Sequence, residues 1–228
     1  MHLKSNIQIC FSFVILFFFC YTGGDEVVYG CWENDKSITA FMHQKGISGY
    51  DGLLEYFAQK AENMVLDLGA TPIHWEEVFL AGADVVPETI FHVWQSQELI
   101  QTIVEANYSV IASPAVPWYL DTWQGSRPVP NTWQDMYNYD PAVGMTSDQE
   151  KLLLGGEVAM WGEYVDEANI ESFIFPRAMA VGERLWSSKN QKDVQQATYR
   201  IDMHRCRMKA RGFNSGPIQP GYCEEIPV

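Results

Sequence analysis

The chain has 228 residues, 47% hydrophobic and 14% aromatic, which is enough apolar material for one sizeable core and excludes intrinsic disorder. With 15 Lys and Arg against 29 Asp and Glu, its formal net charge is -14. A nucleic-acid backbone is therefore excluded as a partner, since phosphate binding needs clustered bases.

In chain order, the segment Met1 to Asn6 carries one Lys, Ile7 to Phe19 is almost continuously apolar, and polar sequence resumes at Tyr21. That is the make-up of a secretory leader, too short for a comfortable membrane span of about 20 residues. Residues 1–22 are read as this leader, with an uncleaved anchor or a misread exon boundary as alternatives, and 23–228 as the folded body. Directly after it, GGDEV (Gly23 to Val27) sets two carboxylates side by side. Neighbouring side chains on an extended segment point to opposite faces, so Asp25 and Glu26 cannot oppose each other across a substrate.

From Gly52 to Gly69, apolar residues at three- and four-residue spacing (Leu53, Leu54, Phe57, Ala61, Met64, Val65, Leu68) predict an amphipathic helix closed by Gly69. Extended segments follow at Thr71–Trp75, Thr89–Trp94, Ser109–Pro114 and Leu152–Trp161, with a helical run at Glu98–Ala106 between the second and third. Strands that are apolar throughout and alternate with helices predict a parallel sheet covered on both faces. The connection from Pro114 to Glu150 is rich in Pro, Trp and Tyr, and Ser147 to Glu150 reads as a capping box. Two late helices are expected, Glu171–Ser187 interrupted by Pro176, and Asp193–Arg211 with Val194, Ala197, Ile201, His204 and Met208 on one stripe.

Asn107-Tyr108-Ser109 is a glycosylation sequon. Of the five cysteines, Cys10 and Cys20 fall in the leader, Cys206 and Cys223 bracket a Gly- and Pro-rich loop and are paired as a disulfide, and Cys31 is left over. His43, His74, His92 and His204 lack metal-ligand spacing, so no metal is assigned. No phosphate-cradling glycine loop is present and no cofactor is expected. Glu76, Glu77, Glu157 and Glu183 are read as structural carboxylates. Polar and aromatic residues recur where strands end, at Asp25 and Glu26, Trp75 to Glu77, Trp94, Trp118 to Asp121, and Trp161 to Glu163. Such clustering at carboxyl ends of parallel strands is how barrel enzymes build their sites.

These segments, GGDEV, WEEVF (Trp75 to Phe79), VW (Val93, Trp94), PWYLD (Pro117 to Asp121), GGEVAMWGEYVD (Gly155 to Asp166) and PRAMAVGERLWS (Pro176 to Ser187), resemble the beta-N-acetylhexosaminidases of glycoside hydrolase family 20. The resemblance runs from Gly23 to about Glu225. It implies an α/β fold of the (β/α)8 TIM-barrel type, represented here by roughly the last five strands, and removal of terminal N-acetylhexosamine with retention. In that chemistry the sugar's own 2-acetamido oxygen is the nucleophile, which explains two adjacent carboxylates in place of two opposed ones. By resemblance Glu26 is the general acid and base, and Asp25 orients the acetamido nitrogen, roles that need the two pKa values pushed apart. Trp75, Trp94 and Trp161 match the acetamido cage, Tyr119 the hydroxyl that bonds the acetamido oxygen, and Asp121 and Glu163 the carboxylates holding outer sugar hydroxyls.

The resemblance further implies N-acetylglucosamine- or N-acetylgalactosamine-terminated glycans as substrates, a homo- or heterodimer, and a lysosomal or secreted destination. Asp121 followed by Thr122 resembles subunits preferring neutral glycans. The family's separate N-terminal domain, first barrel strands, a sugar-gripping arginine and a disulfide partner for Cys31 have no counterpart in the sequence, so the chain reads as truncated and inactive alone. Two alternatives stand beside the enzyme: a catalytically incompetent short isoform acting as a binding fragment, and a two-carboxylate retaining hydrolase with Glu163 as nucleophile.

Overall fold

The computed structural model describes residues 19–121 and 131–223. Five strands, β1 (Phe19–Gly23), β2 (Thr71–Trp75), β3 (Ile90–Val93), β4 (Ser109–Ala112) and β5 (Leu153–Gly156), form one sheet in sequence order. β1 pairs with β2 and β2 with β3, both in parallel, with Tyr21 opposite Ile73 and Trp75 opposite His92. Helices separate the strands, as parallel neighbours joined by crossovers require.

The described part of the chain divides into two compact units. The first comprises the described residues up to Trp94 together with Glu98–Ile111 and Met145–Leu154, and the second Gln95–Gln97, Ala112–Gly144 and the described residues from Gly155 on.

In the first unit the chain leaves β1 through two short helices, α1 (Tyr29–Glu33) and α2 (Lys36–Lys45), before the long α3 (Gly49–Asp67). The side chain of Asp35 caps α2 by accepting from the Ser37 backbone N–H at 2.7 Å, and Gly46 ends it in the left-handed region. α3 closes as expected: Gly69 has φ 70°, and Ala70 N–H reaches back to the Val65 carbonyl at 3.1 Å. Its buried stripe, however, is Leu53, Leu54, Ala58, Glu62 and Val65, while Phe57, Met64 and Leu68 are exposed. The apolar pattern misjudged this face because a buried glutamate belongs to it. Glu62 is covered because its carboxylate accepts from Thr89 Oγ1 and the Val86 N–H and lies 3.5 Å from His74 Nε2. Those partners hold its pKa low against the burial that would raise it.

β1 begins at Phe19, so Phe19 to Thr22, assigned to the leader by composition, form a strand; Cys20 lies there too and is a free thiol, as is Cys31. Thr22 Oγ1 is hydrogen-bonded to the Ile73 carbonyl and to His74 Nδ1. A run of apolar residues carries the same signature in a leader and in a covered parallel strand, and pairing with β2 decides between them for these four residues. Residues 1–18 lie outside the described part.

In the second unit the connection after β4 is largely ordered by α6 (Ala115–Trp118) and α7 (Trp133–Asn138), the latter opened by a reciprocal capping box between Thr132 and Asp135; α4 (Glu77–Leu80) and α5 (Gln97–Glu105) precede it in the chain. Trp123 falls in 122–130, outside the described residues. In the first unit, a further box sits at Thr146 and Gln149, one residue before the predicted position, where each side chain meets the other's backbone N–H. Pro176 separates α8 (Ile170–Ile174) from α9 (Arg177–Trp186), and Asp193 caps α10 (Val194–Ala210). Trp133 and Tyr137 of α7, Ala180 of α9, and Ala197 and Ile201 of α10 make one apolar core. Arg184 is buried beside it, bridging to Asp140 at 3.0 Å and donating to the Tyr139 and Lys189 carbonyls. Cys206 and Cys223 form the expected disulfide, closing α10 against the C-terminal loop.

Candidate functional site

The eight candidate residues divide evenly: Asp25, Glu26, Trp75 and Trp94 belong to the first unit, and Tyr119, Asp121, Trp161 and Glu163 to the second.

The turn that presents Asp25 and Glu26 is dictated by its glycines. Gly23 and Gly24 have φ 73° and 104°, and a Cβ on Gly24 would lie 2.5 Å from Val78 Cγ2, inside α4's buried face. The chain therefore turns sharply off β1 and leaves both carboxylates exposed. Glu26 itself has φ 48°, and among the described residues only it and Asn107 are non-glycines with positive φ. Backbone strain of this kind collects where a side chain must be aimed. Asn107, the sequon asparagine, is exposed in the turn after α5.

Trp75 and Trp94 are held from several sides. Trp75 is buried and stacks on His92, its register partner, with ring centroids 4.2 Å apart and planes 18° from parallel. Tyr21 meets Trp75 edge-on and is hydrogen-bonded through its hydroxyl to His92 Nδ1 at 2.7 Å. Burial pushes the His92 imidazole down to about 4, so it is neutral at ordinary pH. Trp94 is oriented by the two glutamates that follow Trp75. Its backbone N–H is shared by both carboxylate oxygens of Glu76, at 3.2 and 3.1 Å, and its indole N–H donates to Glu77 Oε1 at 3.0 Å.

In the second unit the four candidates come together. Tyr119 continues past α6 into a parallel bridge with Ala159, and Leu120 N–H donates to the Ala159 carbonyl at 2.8 Å. This brings Tyr119 and Trp161 into an edge contact at 5.8 Å. The Asp121 carboxylate accepts the Trp161 backbone N–H and lies close enough to Glu163 to sense its charge. Burial, then Glu163, raise the Asp121 pKa, while Arg177 opposes them. Asp121 Oδ1 is buried and makes no hydrogen bond among the described residues, an acceptor poised for a donor. Gly156 is fixed by packing: a Cβ there would come within 2.5 Å of both the Ala112 carbonyl oxygen and Trp118 Cζ3.

Sequence reasoning passed over Arg177. Its guanidinium donates to the carbonyls of Leu120, Asn131 and Phe173, pinning the backbone that carries Asp121, and burial lowers its pKa. Two of its three partners, Asn131 and Leu120, lie 46 and 57 residues away in the chain, so spacing gave no signal that it reaches them. Glu183 is held by Arg200 and Tyr137 and is structural. His74 and His92 are buried packing residues, and among the described residues no group of three or more His, Cys, Asp or Glu could hold a metal ion.

The family model described as glycosyl hydrolase family 20, catalytic domain, matches residues 11–189. The chain belongs to this family. It is 36% identical over 236 residues to the human beta-hexosaminidase subunit beta, a match covering 97% of this chain and 41% of that protein. To the mouse beta-hexosaminidase subunit alpha it is 37% identical, covering 91% and 40% respectively. The chain thus spans about two fifths of the length of these curated relatives. A solved exo beta-N-acetylglucosaminidase from Vibrio harveyi, in complex with N-acetylglucosamine, superposes with a TM-score of 0.78 at 27% identity, covering 89% of this chain and 33% of that one. Within the family, the five strands and their intervening helices are part of an α/β barrel.

Proposed function

We propose that this family 20 chain carries the acid, the acetamido cage and the hydroxyl-binding carboxylates of a retaining beta-N-acetylhexosaminidase acting on glycans that end in N-acetylglucosamine or N-acetylgalactosamine. The observation that carries the reading is the pair Asp25 and Glu26, set side by side on a glycine turn, with Glu26 in a strained backbone conformation. Two carboxylates on one side of a sugar suit a substrate that brings its own nucleophile.

Glu26 donates its proton to the glycosidic oxygen as the bond to C1 breaks. The 2-acetamido oxygen attacks C1 from the opposite face and closes a five-membered ring carrying positive charge, while Asp25 accepts the acetamido N–H and stabilises that charge. Water, deprotonated by Glu26, then opens the ring at C1, and two inversions give net retention. Trp75, Trp94 and Trp161 wall the acetamido group, Tyr119 donates its hydroxyl to the acetamido oxygen, and Asp121 and Glu163 accept hydroxyls from the far side of the sugar. The unpartnered Asp121 Oδ1 supports that last role. Homo- or heterodimerisation, a preference for neutral glycans and a lysosomal or secreted destination accompany this reading; Thr122, on which the neutral preference rests, lies outside the described residues. The leader reading, with its boundary moved upstream of Phe19, accompanies it too.

The test uses the full chain with N-acetylglucosamine-thiazoline, which mimics the ring-closed intermediate, and a chromogenic N-acetylglucosaminide. Thiazoline binding that is lost in Asp25→Asn supports the mechanism. Binding without turnover marks the chain as a binding fragment. Turnover of the matching glucoside, with Asp25→Asn still active, would establish the two-carboxylate mechanism instead.

A further inference from the structure

Three neighbouring strands converge behind Trp75. From β2 comes the indole itself, from β3 the His92 imidazole, and from β1 the Tyr21 phenol. Because Trp75 and His92 are register partners, both rings leave the same face of the sheet, and they lie flat against each other at 4.2 Å. Tyr21 stands edge-on to both, 5.5 Å from the indole and 5.7 Å from the imidazole, and is hydrogen-bonded to Nδ1 at 2.7 Å. Rotation of the His92 ring would break that bond, so Tyr21 fixes the imidazole plane and the imidazole plane in turn fixes the indole.

An aliphatic residue of similar size would fill the space and leave the indole free to tilt. A flat ring does not. We propose that His92, locked by Tyr21, is the positioning residue that sets the plane of Trp75 and thereby the width of the slot that receives the acetamido group. This rests on the reading of Trp75 as an acetamido wall. Burial keeps the imidazole neutral, which favours close face-to-face stacking without introducing a charge beside the sugar. Tyr21 thereby acquires a role that neither its place at the end of an apolar run nor its partial exposure suggested.

The experiment compares His92→Leu, His92→Gln, Tyr21→Phe and Trp75→Phe in the full chain. Two readouts are taken: N-acetylglucosamine affinity by titration calorimetry, and the Trp75 indole N–H resonance, assigned by its loss in Trp75→Phe. His92→Leu should move the indole resonance and weaken N-acetylglucosamine about tenfold, the reach of one aromatic stacking contact. His92→Gln, whose planar amide keeps both the flat surface and a partner for Tyr21, should restore affinity to within about threefold, with Tyr21→Phe in between. If Trp75→Phe weakens the sugar while His92→Leu leaves affinity and resonance unchanged, the positioning role is overturned and the cage stands. If Trp75→Phe has no effect on sugar affinity, the cage reading falls and takes this inference with it. Should His92→Leu fail to fold, His92→Gln and Tyr21→Phe carry the same comparison.

Discussion

The pair Asp25 and Glu26 in the first unit and Asp121 in the second are held in opposite ways. Asp25 and Glu26 stand exposed on a glycine turn, aimed by backbone geometry, whereas Asp121 is buried, with Arg177 pinning its backbone from behind. A group that must exchange protons with solvent and substrate gains from exposure, and its position is specified by the chain alone. A group that must only accept hydroxyls can be buried, at the cost of a raised pKa and a need for partners. The first arrangement concentrates constraint in glycines and the second in a side-chain network.

The contrast can be broken by substitution. Glu26→Gln should lower turnover of a chromogenic N-acetylglucosaminide, in whatever assembly shows activity, by about a thousandfold, the usual weight of a general acid. Its thermal midpoint should stay unchanged because the side chain is exposed. A large loss of stability would show that the turn depends on the carboxylate. Next in size, Gly156→Ala should destabilise by about 3 kcal/mol, since the added carbon meets a backbone oxygen and an indole. Urea unfolding measures it, and a neutral result would remove packing as the reason for glycine.

Acid sharpens the comparison further. His92 titrates near 4 when folded and near 6.5 when unfolded, so between those values the unfolded chain binds more protons. Stability should therefore fall by about 3 kcal/mol as pH drops through that window, and His92→Gln should flatten the slope. Asp121 has the reverse sign. Its raised folded pKa means the folded chain binds the proton more tightly, so stability declines as pH rises through its titration. Asp121→Asn should consequently be stabilising at neutral pH while weakening N-acetylglucosamine roughly tenfold. Destabilisation by the amide would mean that the carboxylate's attraction to the Arg177 charge outweighs its burial.

Much of the frame was legible because periodicity and punctuation agree. β2 has its predicted bounds, β3 and β4 fall within theirs, and α3, α9 and α10 begin or end at the glycine, proline and aspartate that signalled them. Glu62 was illegible since a polar residue on an apolar stripe is buried only if distant partners meet it, and His74 and Thr89 lie beyond any local window. Likewise α7 hid within a stretch of Trp, Asn and Tyr whose helical propensity is unremarkable, and its stability comes from packing on α9 and α10. At the site, sequence marked which aromatics and carboxylates to examine. What holds them, the Tyr21–His92 bond, the Glu77 acceptor and Arg177, is tertiary and could not be read from spacing.

The two glutamates after Trp75 carry one more consequence. Since Glu76 and Glu77, which orient Trp94, directly follow Trp75 at the end of β2, the placing of both candidate tryptophans depends on the register of β2. A residue inserted into β2 would turn Trp75 to the opposite face and withdraw both acceptors from Trp94 in the same step. Divergence along this stretch is thus open to exchange of side chains and closed to changes of length.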